Sequence, residues 1–177
     1  IASSETILNE INNLVLTNNI KPSDINSVIY NNGPGSFTGV RVSSAIVQAI
    51  GFSNNCPVYG INSLMLDAYS MYKEKKFSKI QVVRKAFGNQ LFHGLITFSE
   101  KECLLDSEVL TSSFDAVEFN PKYILLTDLK DIIKDKHHIV ENYTGSELLI
   151  EFYKKYSTKK NSFNYKDALP IYAGHTI

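Results

Sequence analysis

Gly33-Pro34-Gly35-Ser36-Phe37-Thr38-Gly39-Val40-Arg41 is the stretch of this chain that decides its fold. A short β-rich run, Ser27 to Tyr30, leads into it, and a helical pattern from about Thr38 to Phe52 leads out. It is therefore a strand–loop–helix junction. Gly33 and Gly35 allow backbone angles that other residues resist, and Pro34 stiffens the loop between them. Thr38 is placed to cap the helix, whose free N–H groups would make an anion site. The glycine spacing fits neither a Walker loop nor the dinucleotide fingerprint. On residues alone, a tight structural turn and a phosphate contact both stay open.

The helix that follows is apolar on nearly every side. Val42, Ala45, Ile46, Ala49 and Ile50 form one stripe, and Val40, Ser43, Ser44, Val47 and Gly51 cover much of the rest. Arg41 and Gln48 are its long polar side chains. Such a helix is covered on both sides, here by its own sheet and either by more of this chain or by a partner. Upstream, Ser3 or Ser4 opens a helix in which Ile7, Leu8, Ile11, Leu14 and Val15 recur at helical spacing. Downstream, Pro57 to Ile61 reads as a strand, and Ser63 caps a helix to about Lys75.

The pattern then changes. Lys79 to Arg84 and Leu91 to Phe98 form a hairpin across a Gly88-Asn89 turn, with Cys103 to Leu110 as a third strand. Tyr123 to Thr127 and His138 to Val140 read as strands, and Asp128 to Lys134 as a short helix. An amphipathic helix carries Leu148, Leu149, Phe152 and Tyr156; a polar loop from Ser157 to Asn164 and a docked tail at Pro170-Ile171-Tyr172 follow. The pattern predicts an α/β protein of two subdomains, 1–76 and 77–177.

Eighteen basic side chains balance 18 acidic ones, so bulk charge offers no grip on nucleic acid. Two cysteines, Cys56 and Cys103, in no Cys-x-x-Cys unit, point to a reducing, cytoplasmic setting. No run reaches the ~18 apolar residues of a membrane helix. The start, Ile1-Ala2-Ser3-Ser4, lacks a Met and the basic and apolar regions of a leader; it reads as the entry to a helix, with an N-terminal segment expected before it.

Gly33 to Arg41 matches the GPGSFTGxR signature residue for residue, and on it the chain resembles the TsaB (YeaZ) family of tRNA threonylcarbamoyladenosine biosynthesis proteins, relatives of the old glycoproteases. Cys56-Pro57-Val58-Tyr59-Gly60-Ile61-Asn62-Ser63-Leu64, the Ser4-Glu5-Thr6-Ile7-Leu8 helix start and the closing Pro170-Ile171-Tyr172 extend the resemblance. The resemblance implies an actin-like (Hsp70-like ATPase, ribonuclease H-like) fold, with the first strands of that fold, and their phosphate loop, absent from this chain. Lys85-Ala86-Phe87-Gly88-Asn89 stands where the family carries an Asp-Ala-Arg hairpin.

The resemblance also implies a role. The chain would be a non-catalytic scaffold and activator of the transferase TsaD, with the ATPase TsaE joining the complex. Threonylcarbamoyladenosine would form next to the anticodon, tRNA being met through the complex. ATP and metal are expected in those partners and no cofactor here. The first two helices would make the contact, through Leu8, Ile11 and Val15 on one and Val40, Ser44, Val47 and Gly51 on the other. Without a partner, the same patch would form a homodimer.

The rival reading is a small actin-like ATPase or kinase with its phosphate site at Gly33 to Thr38, using Asp24 and Asp67 as the nearest acids in sequence. A peptidase is disfavoured, since no His-Glu-x-x-His or Gly-x-Ser-x-Gly occurs. His93, His137, His138 and His175 lack the His-x-x-x-His spacing of the metal-binding relative, and His93 reads as structural. The runs Lys73-Glu74-Lys75-Lys76 and Lys159-Lys160 read as solvated ends.

Overall fold

The computed structural model describes residues 4–111, 113–129, 137–139, 145–156 and 165–171. Helix α1 spans Ser4–Thr17, and strand β1 (Val28–Gly33) runs into helix α2 (Phe37–Asn54). Strand β2 (Val58–Asn62) passes directly into helix α3 (Ser63–Lys75). Strands β3 (Lys79–Lys85), β4 (Leu91–Phe98) and β5 (Cys103–Thr111) follow, then β6 (Ile124–Thr127), β7 (His137–Ile139) and helix α4 (Ser146–Tyr156).

Two sheets result. β1 and β2 pair in parallel, as two strands joined by a crossover helix must. The second sheet has the order β5-β4-β3-β6-β7, antiparallel from β5 to β3 and parallel from β3 to β7. β3 is its centre and is buried on both faces from Ile80 to Val83. The expected short helix from Asp128 to Lys134 and the loop from Ser157 to Asn164 fall largely or wholly outside the described residues.

The main core lies where α3 meets the second sheet and α4. Leu64, Ala68 and Tyr69 pack with Ile80, Val82, Ile96, Phe98, Phe152 and Tyr156. A smaller core joins α2 to β1 and β2 through Val47, Tyr30 and Val58, with Ala168 closing it. Residues 165–171 therefore cross back over the first sheet. The Ile171 N–H donates to the Asn32 carbonyl at 2.7 Å, and Gln48 Nε2 donates to the Ala168 carbonyl at 3.2 Å. Gly51 lets this strap lie flat, because a Cβ there would sit 2.8 Å from Tyr165 Cβ and 2.9 Å from Val58 Cγ2.

Candidate functional site

The signature loop is held from three sides. β1 ends at Gly33 with φ +102°, and a Cβ there would lie 2.8 Å from the Ile171 carbonyl oxygen, so glycine is required. The Gly33–Pro34 peptide is cis. The Pro34 carbonyl accepts a hydrogen bond from Ser63 Oγ at the start of α3. Two expected caps move by one or two residues. Ser36, not Thr38, caps α2, its Oγ accepting from Gly39 N at 3.4 Å; Thr38 already lies in the first turn. Asn62, not Ser63, caps α3, its Oδ1 accepting from Leu64 N at 2.8 Å, because the Ser63 hydroxyl is spent on Pro34. Arg41 lies one turn past Phe37, its guanidinium 3.6 Å from the ring centroid, and Phe37 is 60% exposed.

This loop forms one wall of a cavity of about 660 Å³. Pro34, Gly35, Ser36, Phe37 and Thr38 face Arg84, Lys85, Ala86, Phe87, Gln90 and Phe92 from the β3–β4 hairpin, with Leu64 and Ile171 between. Its lining contains two cations and no carboxylate. Arg84 is held from behind, Nη1 donating to Asp67 Oδ2 at 2.9 Å, with Asp128 Oδ2 3.7 Å from Nε. Asp128 Oδ1 also accepts from Lys85 N at 2.9 Å. Burial pushes the Asp67 carboxyl up to about 6, against the pull of Arg84.

Neither acid named by the ATPase reading lines this cavity. Asp67 is committed to Arg84, on the side of a smaller cavity of about 170 Å³. Asp24 closes a turn, its Oδ2 accepting from Lys21 N at 3.0 Å. Among the described residues, no group of three or more His, Cys, Asp or Glu is placed to hold a metal ion. The pairing of Arg84 with Asp67 and Asp128 escaped the sequence reading. The signal for them was a cation ending an otherwise apolar strand, Ile80 to Val83 broken only by Gln81.

The two helices expected to meet a partner differ sharply. α1 has no buried residue: Leu8 is 53% exposed and Leu14 62%, while Ile11 and Val15 are half-buried. On α2, Val40, Ser44, Val47 and Gly51 are the buried residues, turned onto the chain's own β1 and β2 and the strap. Val40, Ser44, Val47 and Gly51, expected to make the partner contact, are thus covered by this chain itself. The outward face of α2 carries Arg41, Ala45, Ala49 and Phe52 instead. Asn54 Nδ2 donates to the Pro22 carbonyl at 3.0 Å, tying the end of α2 to the turn that follows α1.

Among the described residues, the histidines belong to no group placed to hold a metal ion. His93 is buried in β4, and His137 and His138 are adjacent in β7. His175 and the Lys159-Lys160 pair lie outside the described residues. Among the described residues, no helix is long and apolar enough to cross a membrane.

Comparison with known proteins places this geometry. The family described as "TsaD: tRNA N6-adenosine threonylcarbamoyltransferase" matches residues 2–96. The tRNA threonylcarbamoyladenosine biosynthesis protein TsaB of Buchnera aphidicola (subsp. Schizaphis graminum) is 33% identical over 88 residues, 50% of this chain and 42% of that protein. TsaB of Escherichia coli (strain K12) is 25% identical over 115 residues, 60% of this chain and 50% of that protein. The chain thus spans about half the length of these curated relatives. The structure of YeaZ from Pseudomonas aeruginosa superposes with a TM-score of 0.78 at 18% identity, covering 96% of this chain and 85% of that one. That similarity fixes the fold as the expected actin-like, ribonuclease H-like α/β type.

Proposed function

This chain belongs to the TsaD family, in its TsaB (YeaZ) branch, and on that footing we propose that it is the non-catalytic scaffold and activator of TsaD in threonylcarbamoyladenosine modification of tRNA. The observation that carries this reading is the uncovered apolar surface of α1. Leu8, Leu14 and Leu16 are 53–64% exposed, Ile20 just beyond the helix is 46% exposed, and Phe52 near the end of α2 is 66% exposed. Leaving that much apolar side chain in water is unfavourable by roughly 25 cal/mol per Å² and marks a contact surface.

In this reading ATP and metal reside in TsaD and TsaE, tRNA is met through the complex in the cytoplasm, and the free chain pairs with a second copy through the same helices. Residues 1–76 and 77–177 act as its two subdomains, with 165–171 strapped back onto the first. The cavity beside Gly33 to Thr38 gives the ATPase alternative little support, because its lining brings no acid for a magnesium ion.

The test is co-purification with TsaD from the same genome. Val47 is core, 6% exposed, so a charge there would unfold the chain rather than probe a contact. Ala49→Arg, on the exposed face, is the informative variant. A buried unpaired guanidinium costs several kcal/mol, so binding should weaken by at least about 100-fold in a variant that folds normally. Undiminished binding by Ala49→Arg and Leu8→Arg alike moves the contact off these helices. Failure of the wild type to bind sinks the scaffold reading itself.

A further inference from the structure

Gln81 is 1% exposed in the middle of β3, a polar side chain in the most enclosed strand. Its amide cannot turn over. Nε2 lies 2.7 Å from the Glu118 carbonyl oxygen, which only accepts, and Oε1 lies 3.0 Å from the Asn120 N–H, which only donates. The other N–H of Nε2 faces Nε2 of His93 at 2.7 Å. That ring nitrogen must therefore accept, and the proton of His93 sits on Nδ1. Burial already holds His93 below its usual pKa, and a second proton would have to point at an N–H. His93 is a neutral ring whose one donor is fixed in place.

Nδ1 has no hydrogen-bond partner among the described residues. It is also not one of their fully enclosed unpaired side-chain atoms, which are Asn32 Oδ1 and Ser44 Oγ. His93 is 8% exposed and lines a cavity of about 600 Å³ that shares no lining residue with the cavity beside the signature loop. Leu95, Phe119 and Pro121 give the cavity apolar walls; Ser107 and Lys122 add donors, and Glu118 is the carboxylate of the lining. The volume lies within the range of small-molecule sites, which join apolar walls to a few fixed polar groups.

We infer that this cavity binds a small organic monocarboxylate, its oxygens taking the His93 Nδ1–H, the Ser107 hydroxyl and the Lys122 ammonium, and its apolar body resting on Leu95 and Phe119. Glu118 sets the charge limit, since it repels a second carboxylate on the same ligand. The buried amide of Gln81 is the positioning group: both its N–H donors and its carbonyl oxygen are engaged in holding one tautomer and one loop. The inference is independent of any partner of the chain.

The experiment is a ring-nitrogen NMR titration of the folded protein with benzoate, using benzyl alcohol as the uncharged control. The His93 proton is expected on Nδ1 at about pH 7 to 8, above the ordinary titration of a histidine. Benzoate is expected to shift that signal saturably in the millimolar range, and benzyl alcohol is not. Lys122→Met, at an exposed position, should weaken benzoate about tenfold without changing the tautomer. A proton on Nε2, no saturable shift, an equal response to benzyl alcohol, or benzoate binding indifferent to Lys122→Met would each overturn the assignment.

Discussion

Helices α1 and α3 are nearly the same length, 14 and 13 residues, yet α1 buries no residue and α3 buries eight. α1 carries the plainer amphipathic pattern. α3 places Tyr, Ser, Asp and Met among its leucines, and it is α3 that the second sheet and α4 enclose. An apolar stripe states that a face needs cover; it does not state which protein supplies it. α2 stands between the two cases, with Val47 in the core and Ala49 in solvent.

The largest effect should come from the covered helix. Leu64 is 1% exposed, and Leu64→Ala should cost about 2–5 kcal/mol in urea denaturation, by lost transfer and a residual cavity. A loss under about 1 kcal/mol would mean that α3 is not the centre of the core. Next is the covered side of α2. Gly51→Ala drives a methyl toward Tyr165 and Val58 at 2.8 and 2.9 Å, and should cost about 1–3 kcal/mol. Joining Gly51→Ala with Tyr165→Gly, which removes the Cβ that the new methyl meets, should recover part of that loss, since the clash is with the strap.

Much of this division was legible beforehand, and the parts that were not share a cause. The alternation of Leu91 to Phe98 and the turn at Gly88-Asn89 are local signals, and β4 runs over those very residues. The direction in which α2 turns depends on a strap more than a hundred residues away, closed by Gln48 onto the Ala168 carbonyl. Periodicity could not choose between the stripe of Val42 and Ala45 and that of Val40 and Val47. Ser36 and Thr38 are both capping residues by type; the backbone leaving the Gly33–Pro34 turn places Ser36 at the cap. Asp67 and Arg84 are 17 apart in sequence and meet only because α3 packs on β3.

Asp67 makes the contrast between covered and uncovered helices depend on pH. Its carboxyl moves from 3.8 when unfolded to about 6 when folded, because burial disfavours its charge more than Arg84 favours it. The folded chain therefore holds this proton more tightly. The contribution is fully present below about pH 4 and is lost as the pH rises through about 6. Asp67→Asn should remove about 1–2 kcal/mol of the stability difference between pH 4 and pH 7, read from urea midpoints at the two values. An unchanged difference would show that solvent reaches the carboxylate.

The smallest effect is expected on α1, and it is the one that separates a poorly packed helix from a surface kept for a partner. Leu14 is 62% exposed, so Leu14→Ala removes little that the free chain buries, and alanine is the better helix former. In the isolated protein at low concentration the change should stay within about 0.5 kcal/mol. If α1 is covered in the assembled state, the same substitution should lower the midpoint of assembly, whether with TsaD or with a second copy, by about 1 kcal/mol or more, the weight of a leucine side chain at an interface. A loss of stability in the free chain comparable to that of Leu64→Ala would instead mean that α1 is packed in solution, and the contrast with α3 would vanish.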